Sequence, residues 1–287
     1  MPRIFVLLAQ HAARIICITL AGGFLALALA RLAPGADERE GDTRLSDETR
    51  AEIRKSHEAE GNVFHFYWAW LRGAAHGDLG VSQALNRPVT ELLSERLPVT
   101  ARLLGWGLLT AWGLGLGLAV PLAFLRGRIY DLGASALAAL FLCLPAAVLA
   151  LLFVLLRAPA ALALGLLVFP KIFRYARTLL QQSATLPHVI TARAKGLSNL
   201  RVLLWHYLPP AAPQWLALLA VSVTLALSVA VPVEVVCDFP GIGQLAWKAA
   251  LARDLYLLMC LTGIVTLSTV VAKSASDLLG EILRPTA

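Results

Sequence analysis

The sequence predicts an all-α integral membrane protein with six transmembrane helices. Only 15% of its 287 residues are charged, whereas roughly a quarter are charged in an ordinary soluble domain. The apolar residues fall into long charge-free runs, of the length that a helix needs to cross a bilayer core of about 30 Å. No run alternates polar and apolar residues, so helices fit better than the strands of a membrane barrel.

The clearest spans are the charge-free runs at 103–125, 132–156, 207–233 and 255–272. The first span covers 15–30 and extends towards the N-terminus through Arg14, which favours an uncleaved helix over a signal peptide. The fourth span covers only 158–170. It crosses the bilayer only if its helix continues past Lys171, with basic side chains reaching to the interface.

The charges predict a topology in which both termini face the cytoplasm. The stretch 171–206 is basic and holds no acid, and short basic loops face the cytoplasm. The opposite side receives the acidic segment 33–98. The predicted parts are therefore an N-terminal transmembrane helix at 1–32, an extracytoplasmic loop with short helices at 33–98, and a five-helix core at 99–287. The core includes a cytoplasmic loop at 181–209.

Two local patterns stand out in the predicted outer loop. Capping residues and spaced charges over 43–55 predict a short solvated helix. Residues 65–71 are dense in aromatic side chains, which collect at membrane interfaces, so they predict an interfacial helix. An aromatic patch that contacts a substrate is the alternative for this second segment.

Prolines and a glycine pair lie inside the predicted spans. Pro121, Pro145 and Pro232 each remove one backbone hydrogen bond and predict a kink. Such kinks line cavities in transporters, and they also arise from simple packing. Gly113 and Gly117 form a GxxxG pattern, which allows two helices to approach each other closely.

Several classes of function find no support in the sequence. The chain contains no Gly-Lys dipeptide, so it has no phosphate-binding P-loop. Its cysteines form no CxxC pair and its histidines have no metal-binding spacing. The basic excess lies in short loops between spans, which is not typical of a nucleic-acid-binding surface. We therefore expect no catalytic residue, no metal or cofactor bound by this chain, and no nucleic-acid partner.

The stretch 191–209 combines basic residues with apolar residues at helical spacing. Gly196 interrupts it and permits a left-handed turn, and Pro209 closes it. The regularly spaced apolar residues are Leu197, Leu200, Leu203 and Leu204. This pattern predicts two short helices that meet at Gly196, the second of them amphipathic. An interfacial helix anchored by lipid phosphates would have the same pattern.

This stretch resembles the coupling loop of ABC importer permeases, in the version found in dipeptide, oligopeptide and nickel permeases. The family signature is a Glu-Ala-Ala triplet followed by a Gly and, further on, by Leu-Pro. With Gly196 aligned to the family's glycine, Ala192, Leu208 and Pro209 fall at matching positions, whereas Ile190 stands at the Glu position.

The resemblance implies that the loop 190–209 couples to a separate ATPase. The residues that would carry this coupling are Thr191, Ala192, Arg193, Lys195, Gly196, Leu197, Leu208 and Pro209. It implies a type I permease fold in the bacterial inner membrane. It also implies three kinds of partner: a second homologous permease, two ABC ATPase subunits that bind the ATP and Mg, and an extracytoplasmic substrate-binding protein. The implied cargo is a di- or oligopeptide, or a related solute such as a nickel chelate.

Matches to the same family continue along the chain. The residues that resemble the family's outer loop and its entry to the second span are Tyr67, Trp70, Leu71 and those at 77–80, 87–89 and 96–100. Arg253 and Asp254 resemble part of the outer loop after the fifth span. Asp277 resembles an aspartate near the end of the sixth span. A weaker set of matches implies a gate or part of the translocation path. This set contains Pro145, Glu234, Phe239, Pro240, Gly241 and Gly243.

Three roles stay open for Glu234: solvation at the interface, a structural pair with Arg253, and gating or substrate contact. The residues 239–243 predict a tight turn. Lys273 and Asp277 are four residues apart, which predicts an ion pair within one helix.

The connection between the third and fourth spans is reduced to about 157–159, although the family usually has a longer loop there. This departure keeps open a transport-inactive paralogue or membrane scaffold. A six-helix secondary transporter is a further alternative, but the sequence shows neither an internal repeat nor acids at the predicted bilayer midplane.

Overall fold

The computed structural model describes residues 2–32, 63–124 and 128–282. The helices in these ranges are α1 (Pro2–Leu32), α2 (Val63–Ala75), α3 (Val89–Phe124), α4 (Arg128–Cys143), α5 (Ala146–Leu155), α6 (Ala160–Ala184), α7 (Pro187–Ala194), α8 (Asn199–Val202), α9 (Ala212–Val236), α10 (Ile242–Ala252) and α11 (Leu255–Ile282). A π-helical turn, Leu203–Tyr207, follows α8, and β1 (Val81–Ser82) pairs antiparallel with β2 (Arg87–Pro88). The helix expected over 43–55 lies outside the described residues.

Within the described ranges, four helices are long and apolar enough to cross a membrane: α1 over Leu7–Ala30, α3, α9 and α11. A fifth span results if α4 and α5 are counted as one broken helix. Helix α6, where the fourth span was predicted, is not among these candidates because Lys171, Arg174 and Arg177 interrupt its apolar sequence. The all-helical membrane fold is therefore confirmed, and the count of six spans stays a prediction.

The predicted span 132–156 is not one helix. It breaks before Pro145, and the two halves meet at 94°. Proline has no N–H for the helical ladder, and here its extended backbone places its carbonyl to accept bonds from the amides of Val148 and Leu149. Pro145 therefore ends one helix and begins the next. Pro121 and Pro232, by contrast, lie inside continuous helices.

The main core lies between α3, α6 and α9. Helices α3 and α6 approach closely because Gly107 faces Leu164 and Gly165 faces Thr110, and a Cβ at either glycine would overlap these neighbours. Gly113 and Gly117, by contrast, contact no other helix of the described chain, and a Cβ at either one would meet open space. The GxxxG spacing is present in the sequence, but the buried positions of α3 are shifted by two residues from Gly113 and Gly117.

The outer part of the predicted loop packs against the ends of α1 and α11. Phe66 and Tyr67 of α2 join Leu27 and Met259 in a small buried cluster. The Tyr67 hydroxyl donates to the carbonyl of Leu20 at 2.7 Å. The aromatic segment is thus a helix, as predicted, and two of its rings anchor it to the transmembrane core instead of facing lipid.

A charged contact and a short turn shape the region around α4 to α6. The Arg177 guanidinium donates to both carboxylate oxygens of Asp131, with Nη2 at 2.7 and 2.8 Å. Because the Arg177 side chain is only 15% exposed, this pair holds α4 against α6. The connection between α5 and α6 covers only 156–159, with Arg157 in the left-handed conformation, so the short loop read from the sequence is confirmed.

Candidate functional site

Residues 187–209, which we call the basic segment, form two short helices around a glycine turn. The N–H of Gly196 donates to the carbonyl of Arg193 at 2.9 Å, and the N–H of Leu197 donates to the carbonyl of Ala192 at 3.3 Å. This pair of bonds is the Schellman ending of a helix, which places its glycine in the left-handed region. Gly196 has φ +73°, so the turn predicted from the sequence is present.

Arg193 ties the basic segment to the end of α3. Its Nη2 donates to the Tyr207 hydroxyl at 2.6 Å. Its guanidinium lies 5.8 Å from the ring centres of both Phe124 and Tyr207, and these two rings are parallel. Burial raises the pKa of the fully buried Tyr207 hydroxyl, although the positive charge of Arg193 acts in the opposite direction. The phenol therefore stays protonated near neutral pH, and the contact of Arg193 with Phe124 links the basic segment to the last turn of α3.

The exposed side chains of the basic segment include both apolar and basic residues. Four large apolar side chains are exposed there, namely Ile190, Leu200, Leu204 and Trp205, the last with 73% of its surface accessible. Lys195 and Arg201 of the same segment are exposed as well. Large apolar side chains that nothing in the described chain covers are typical of a surface that meets another protein or a membrane interface.

The other predicted coupling residues differ in how deeply they are buried. Ala192 is buried, whereas Thr191 is exposed and its hydroxyl donates to the carbonyl of Pro187 at 3.0 Å. Pro209 is exposed just before α9. Leu208 is half-buried and lines an apolar cavity of about 430 Å³.

This cavity connects the basic segment with the transmembrane helices. Its walls come from α3, α6, the π-helical turn and the start of α9, and its largest side chains are Trp112 and Trp215. Trp112 donates through Nε1 to the Ser222 hydroxyl at 3.1 Å. Leu203 and Leu208 form the part of the wall that belongs to the basic segment, so a displacement of that segment changes the cavity.

Residues 234–243, which we call the acid-capped turn, lie at the other end of α9. Glu234 is completely buried. One carboxylate oxygen accepts from the Thr100 hydroxyl at 2.6 Å, and the other accepts from the N–H groups of Gly243 at 2.7 Å and Gln244 at 3.1 Å. Glu234 thus caps the first turn of α10, where the amide dipoles favour a negative charge.

Gly241 is required because it lies directly against Glu234. A Cβ at this position would overlap the carboxylate. The Thr100 hydroxyl also accepts from the N–H of Ile242 at 2.8 Å, so α3, α9 and α10 share one hydrogen-bond network. Phe239 is half-buried and Pro240 exposed, and together they form the tight turn that the sequence predicted.

A second buried acid holds the opposite end of α10. Asp254 accepts from the Ser82 hydroxyl at 2.6 Å, from the N–H of Ala84 at 3.1 Å and from the N–H of Leu257 at 3.1 Å. It therefore caps α11 and fastens the β1–β2 hairpin to it. Helix α10 lies between two buried carboxylates, one at each end.

The ion pair predicted between Lys273 and Asp277 is wrong, and two of the three roles left open for Glu234, solvation and a pair with Arg253, do not fit the structure. Glu234 is neither solvated nor bonded to a guanidinium in the described structure, because a hydroxyl and two amides satisfy it, and Arg253 lies past the far end of α10. Asp277 lies 3.4 Å from Arg14 of α1, instead of pairing with Lys273. For Asp277, the opposite charge four residues away in the sequence is not its partner in space.

The structure does not bring all predicted residues into one site. The basic segment and the acid-capped turn lie at opposite ends of α9, and Pro145 lies in neither region. The residues that the sequence did not single out are Thr100, Tyr207 and Asp254. Thr100 and Asp254 stood inside family-like motifs, but their roles depend on neighbours that are distant in the chain.

These features define a class: a multi-pass membrane protein with a core of long apolar helices and one short structured segment at each end of α9. Residues 113–287 match the family described as the binding-protein-dependent transport system inner membrane component. The chain belongs to this family. It is therefore a permease component and not itself an enzyme.

Curated relatives match over most of the chain. The oligopeptide transport system permease protein OppB of Escherichia coli K12 is 29% identical over 256 residues, which cover 82% of this chain and 83% of that protein. The OppB protein of Shigella flexneri has the same values. A protein of Brucella suis biovar 1, whose name assigns it to a peptide transport system as permease, is 30% identical over 65% of this chain and 68% of its own length.

Proposed function

We propose that this chain is one permease subunit of an ATP-driven importer of di- or oligopeptides. It forms half of the translocation path and couples to a separate ATPase through residues 190–209. The peptide assignment rests on the relatives named above, which cover most of the chain. Those names do not favour a nickel chelate as cargo, and the family membership does not favour a secondary transporter or a scaffold without transport.

The observation that carries this proposal is the exposed apolar and basic face of the basic segment. A chain without a P-loop has no site of that kind for ATP, so the energy for import comes from a partner. The exposed side chain of Trp205 offers the partner an apolar anchor, and Lys195 and Arg201 of the same segment are exposed to it as well. Aromatic anchors of this kind dominate the energy of protein interfaces.

The proposed assembly contains a second homologous permease, two ABC ATPases and an extracytoplasmic substrate-binding protein. ATP and Mg bind to the ATPases and not to this chain. In the proposed topology the chain spans the inner membrane six times, with both termini and the basic segment in the cytoplasm. Helix α6 completes the six spans if its basic residues reach to the interface.

The proposed mechanism uses the contacts of the basic segment. When the two ATPases close, they displace this segment, and Arg193 passes the displacement to α3 through Phe124 and Tyr207. Leu203 and Leu208 move with it, so the cavity beside Trp112 and Trp215 changes shape. At the other end of α9 the acid-capped turn serves as the outer gate. A rigid-body tilt of packed helices then exposes the path to one side at a time.

The first experiment tests the orientation. The four native cysteines are removed, and Ser198→Cys in the basic segment is compared with Gln83→Cys in the β-hairpin. A membrane-impermeant maleimide should label residue 83 in intact cells with a permeabilised outer membrane. It should label residue 198 only in inside-out vesicles. Labelling of residue 198 from outside would remove the basis for ATPase coupling.

The second experiment tests the coupling with two matched glycines. Gly196 and Gly77 have φ +73° and +87°, and a Cβ at either one meets open space. Gly196→Asp should abolish uptake of a radiolabelled peptide and peptide-stimulated ATPase activity in proteoliposomes containing the assembled transporter. Gly77→Asp, on the opposite side, should keep most of both. Normal uptake by Gly196→Asp would contradict the proposal.

A further inference from the structure

A polar cavity lies between the ends of α1, α9 and α11 and belongs to neither region described above. Its volume is about 370 Å³. Three charged side chains line it, Arg14 from α1 and Asp277 and Glu281 from α11, together with His11 and the neutral polar Gln214. The cavity is therefore lined by one permanent cation and two carboxylates.

These groups are only partly satisfied by one another. The distance from Arg14 Nη1 to Asp277 Oδ2 is 3.4 Å, and half of the Arg14 side chain is exposed. His11 is 95% buried, being only 5% exposed, and its Nδ1 has no hydrogen-bond partner among the described residues. Burying a polar group without a partner is costly, so a site of this kind suits a polar ligand.

The depth of the cavity points to the membrane surface. Arg14 immediately precedes the charge-free run 15–30 of α1, and Asp277 and Glu281 follow the end of the run 255–272 of α11. Both runs thus end at the cavity, at the level where the hydrocarbon core gives way to headgroups. Along α1, the side chain of Ile16, on the hydrocarbon side of this level, is more than half exposed and offers contact to acyl chains.

We propose that this cavity binds the headgroup of a phospholipid with a primary amine, such as phosphatidylethanolamine. The ammonium donates to the carboxylates of Asp277 and Glu281, and the phosphate accepts from Arg14. An anionic lipid without an amine fits less well, because two carboxylates face its phosphate across a small cavity. The bound lipid joins α1 to α9 and α11. In the proposed topology it comes from the cytoplasmic leaflet.

The wild-type chain provides the first test. The full-length protein is delipidated in detergent and then supplied with one phospholipid at a time. Native mass spectrometry measures how much of each lipid the protein retains. The lipids are phosphatidylethanolamine, its mono- and dimethyl forms, phosphatidylcholine and phosphatidylglycerol. Each methyl group keeps the charge and removes one N–H donor. Retention should therefore fall along the series, by about tenfold from ethanolamine to choline. Equal retention along the series would overturn the proposal, as would strongest retention of phosphatidylglycerol.

Two variants with a matched control locate the site. Glu281→Gln and the double variant Asp277→Asn with Glu281→Gln keep the side-chain shapes and remove the charge. The control, Lys273→Gln, changes a charge one turn away on the same helix, outside the cavity lining. The double variant should lower retention of phosphatidylethanolamine to the level of phosphatidylcholine, and the control should not change it. If the double variant does not fold, Glu281→Gln alone decides, because its side chain is exposed. Unchanged retention in the folded variant would show that the lipid binds elsewhere.

Discussion

The acid-capped turn and the basic segment lie at opposite ends of α9 and differ in which of their groups are buried. Around Glu234 the polar groups are buried, and each carboxylate oxygen receives a donor from this chain. Around Trp205, large apolar side chains stay exposed. The first region satisfies its polar groups within one chain, whereas a partner completes the second region in the proposed assembly. Substitutions should therefore affect the stability of the fold at the acid-capped turn and the coupling to ATP at the basic segment.

The largest effect on stability is expected from Glu234→Ala. It leaves two amides and a hydroxyl without their buried acceptor, so the free energy of unfolding should fall by about 3 kcal/mol. Unfolding of the purified protein in mixed micelles with increasing dodecyl sulfate measures this change. Glu91→Ala, at an exposed pair with Arg87, should have almost no effect. Equal losses in the two variants would contradict the role of the buried cap.

Gly241→Ala should have the next largest effect, a loss of about 2 kcal/mol through overpacking against the Glu234 carboxylate. Gly113→Ala is the matched control, because it adds the same methyl group where the structure has open space. Within helix α3 that change should stabilise by up to about 1 kcal/mol. The two substitutions should thus shift the unfolding midpoint in opposite directions. A shift of the same sign and size would mean that Gly241 has room for a Cβ.

Thr100→Val should cost about 1.5 kcal/mol, because it removes the hydroxyl that serves both Glu234 and the amide of Ile242. The shape of the side chain is almost unchanged, so packing contributes little. Thr178→Val is the comparison, since the Thr178 hydroxyl bonds only to its own helix at the carbonyl of Arg174, and it should stay within about 0.5 kcal/mol of wild type. Unfolding curves that coincide for the two variants would place the network's energy elsewhere.

Trp205→Ser should have the smallest effect on stability and the sharpest effect on coupling. The side chain is 73% exposed, so unfolding should change by less than about 0.5 kcal/mol. Co-purification of the ATPase and peptide-stimulated ATP hydrolysis should both fall strongly. Trp247→Ser, at a half-exposed tryptophan of α10, should leave the ATPase in place. A Trp205→Ser variant that loses stability but keeps its ATPase would show that Trp205 supports the fold and not the contact with the ATPase.

Local patterns predicted the basic segment well. The turn at Gly196 depends on a helix ending in a residue that tolerates positive φ, and this property is visible in a few adjacent residues. The exposed side chains follow helical spacing only in part, because Leu200 and Leu204 of the predicted apolar set are exposed whereas Leu197 and Leu203 are half-buried. Sequence therefore anticipated the glycine turn, and the packing decided which apolar side chains stay exposed.

Partners that are distant in the chain could not be predicted in this way. A pair with Arg253 was one of the roles open for Glu234, and Asp277 was matched with Lys273 because the two are four residues apart. In the structure their partners are Thr100 and Arg14, which lie 134 and 263 residues away. A one-dimensional pattern does not show which helices are neighbours, so it does not show which groups share a buried space.

The amino-acid sequence by itself determined that this chain lives in a membrane and that a basic helical turn interrupts its apolar helices. Composition and local spacing are enough to predict both features. A helix that crosses a bilayer needs a minimum length of apolar residues, and the helical repeat appears within a few residues of sequence. The tertiary structure alone decided which glycines of α3 touch a neighbour, that Pro145 turns a predicted span through a right angle, and that Glu234 caps α10. These outcomes depend on how separate helices pack, since a close contact or a buried hydrogen bond requires two surfaces that the chain brings together only when it folds.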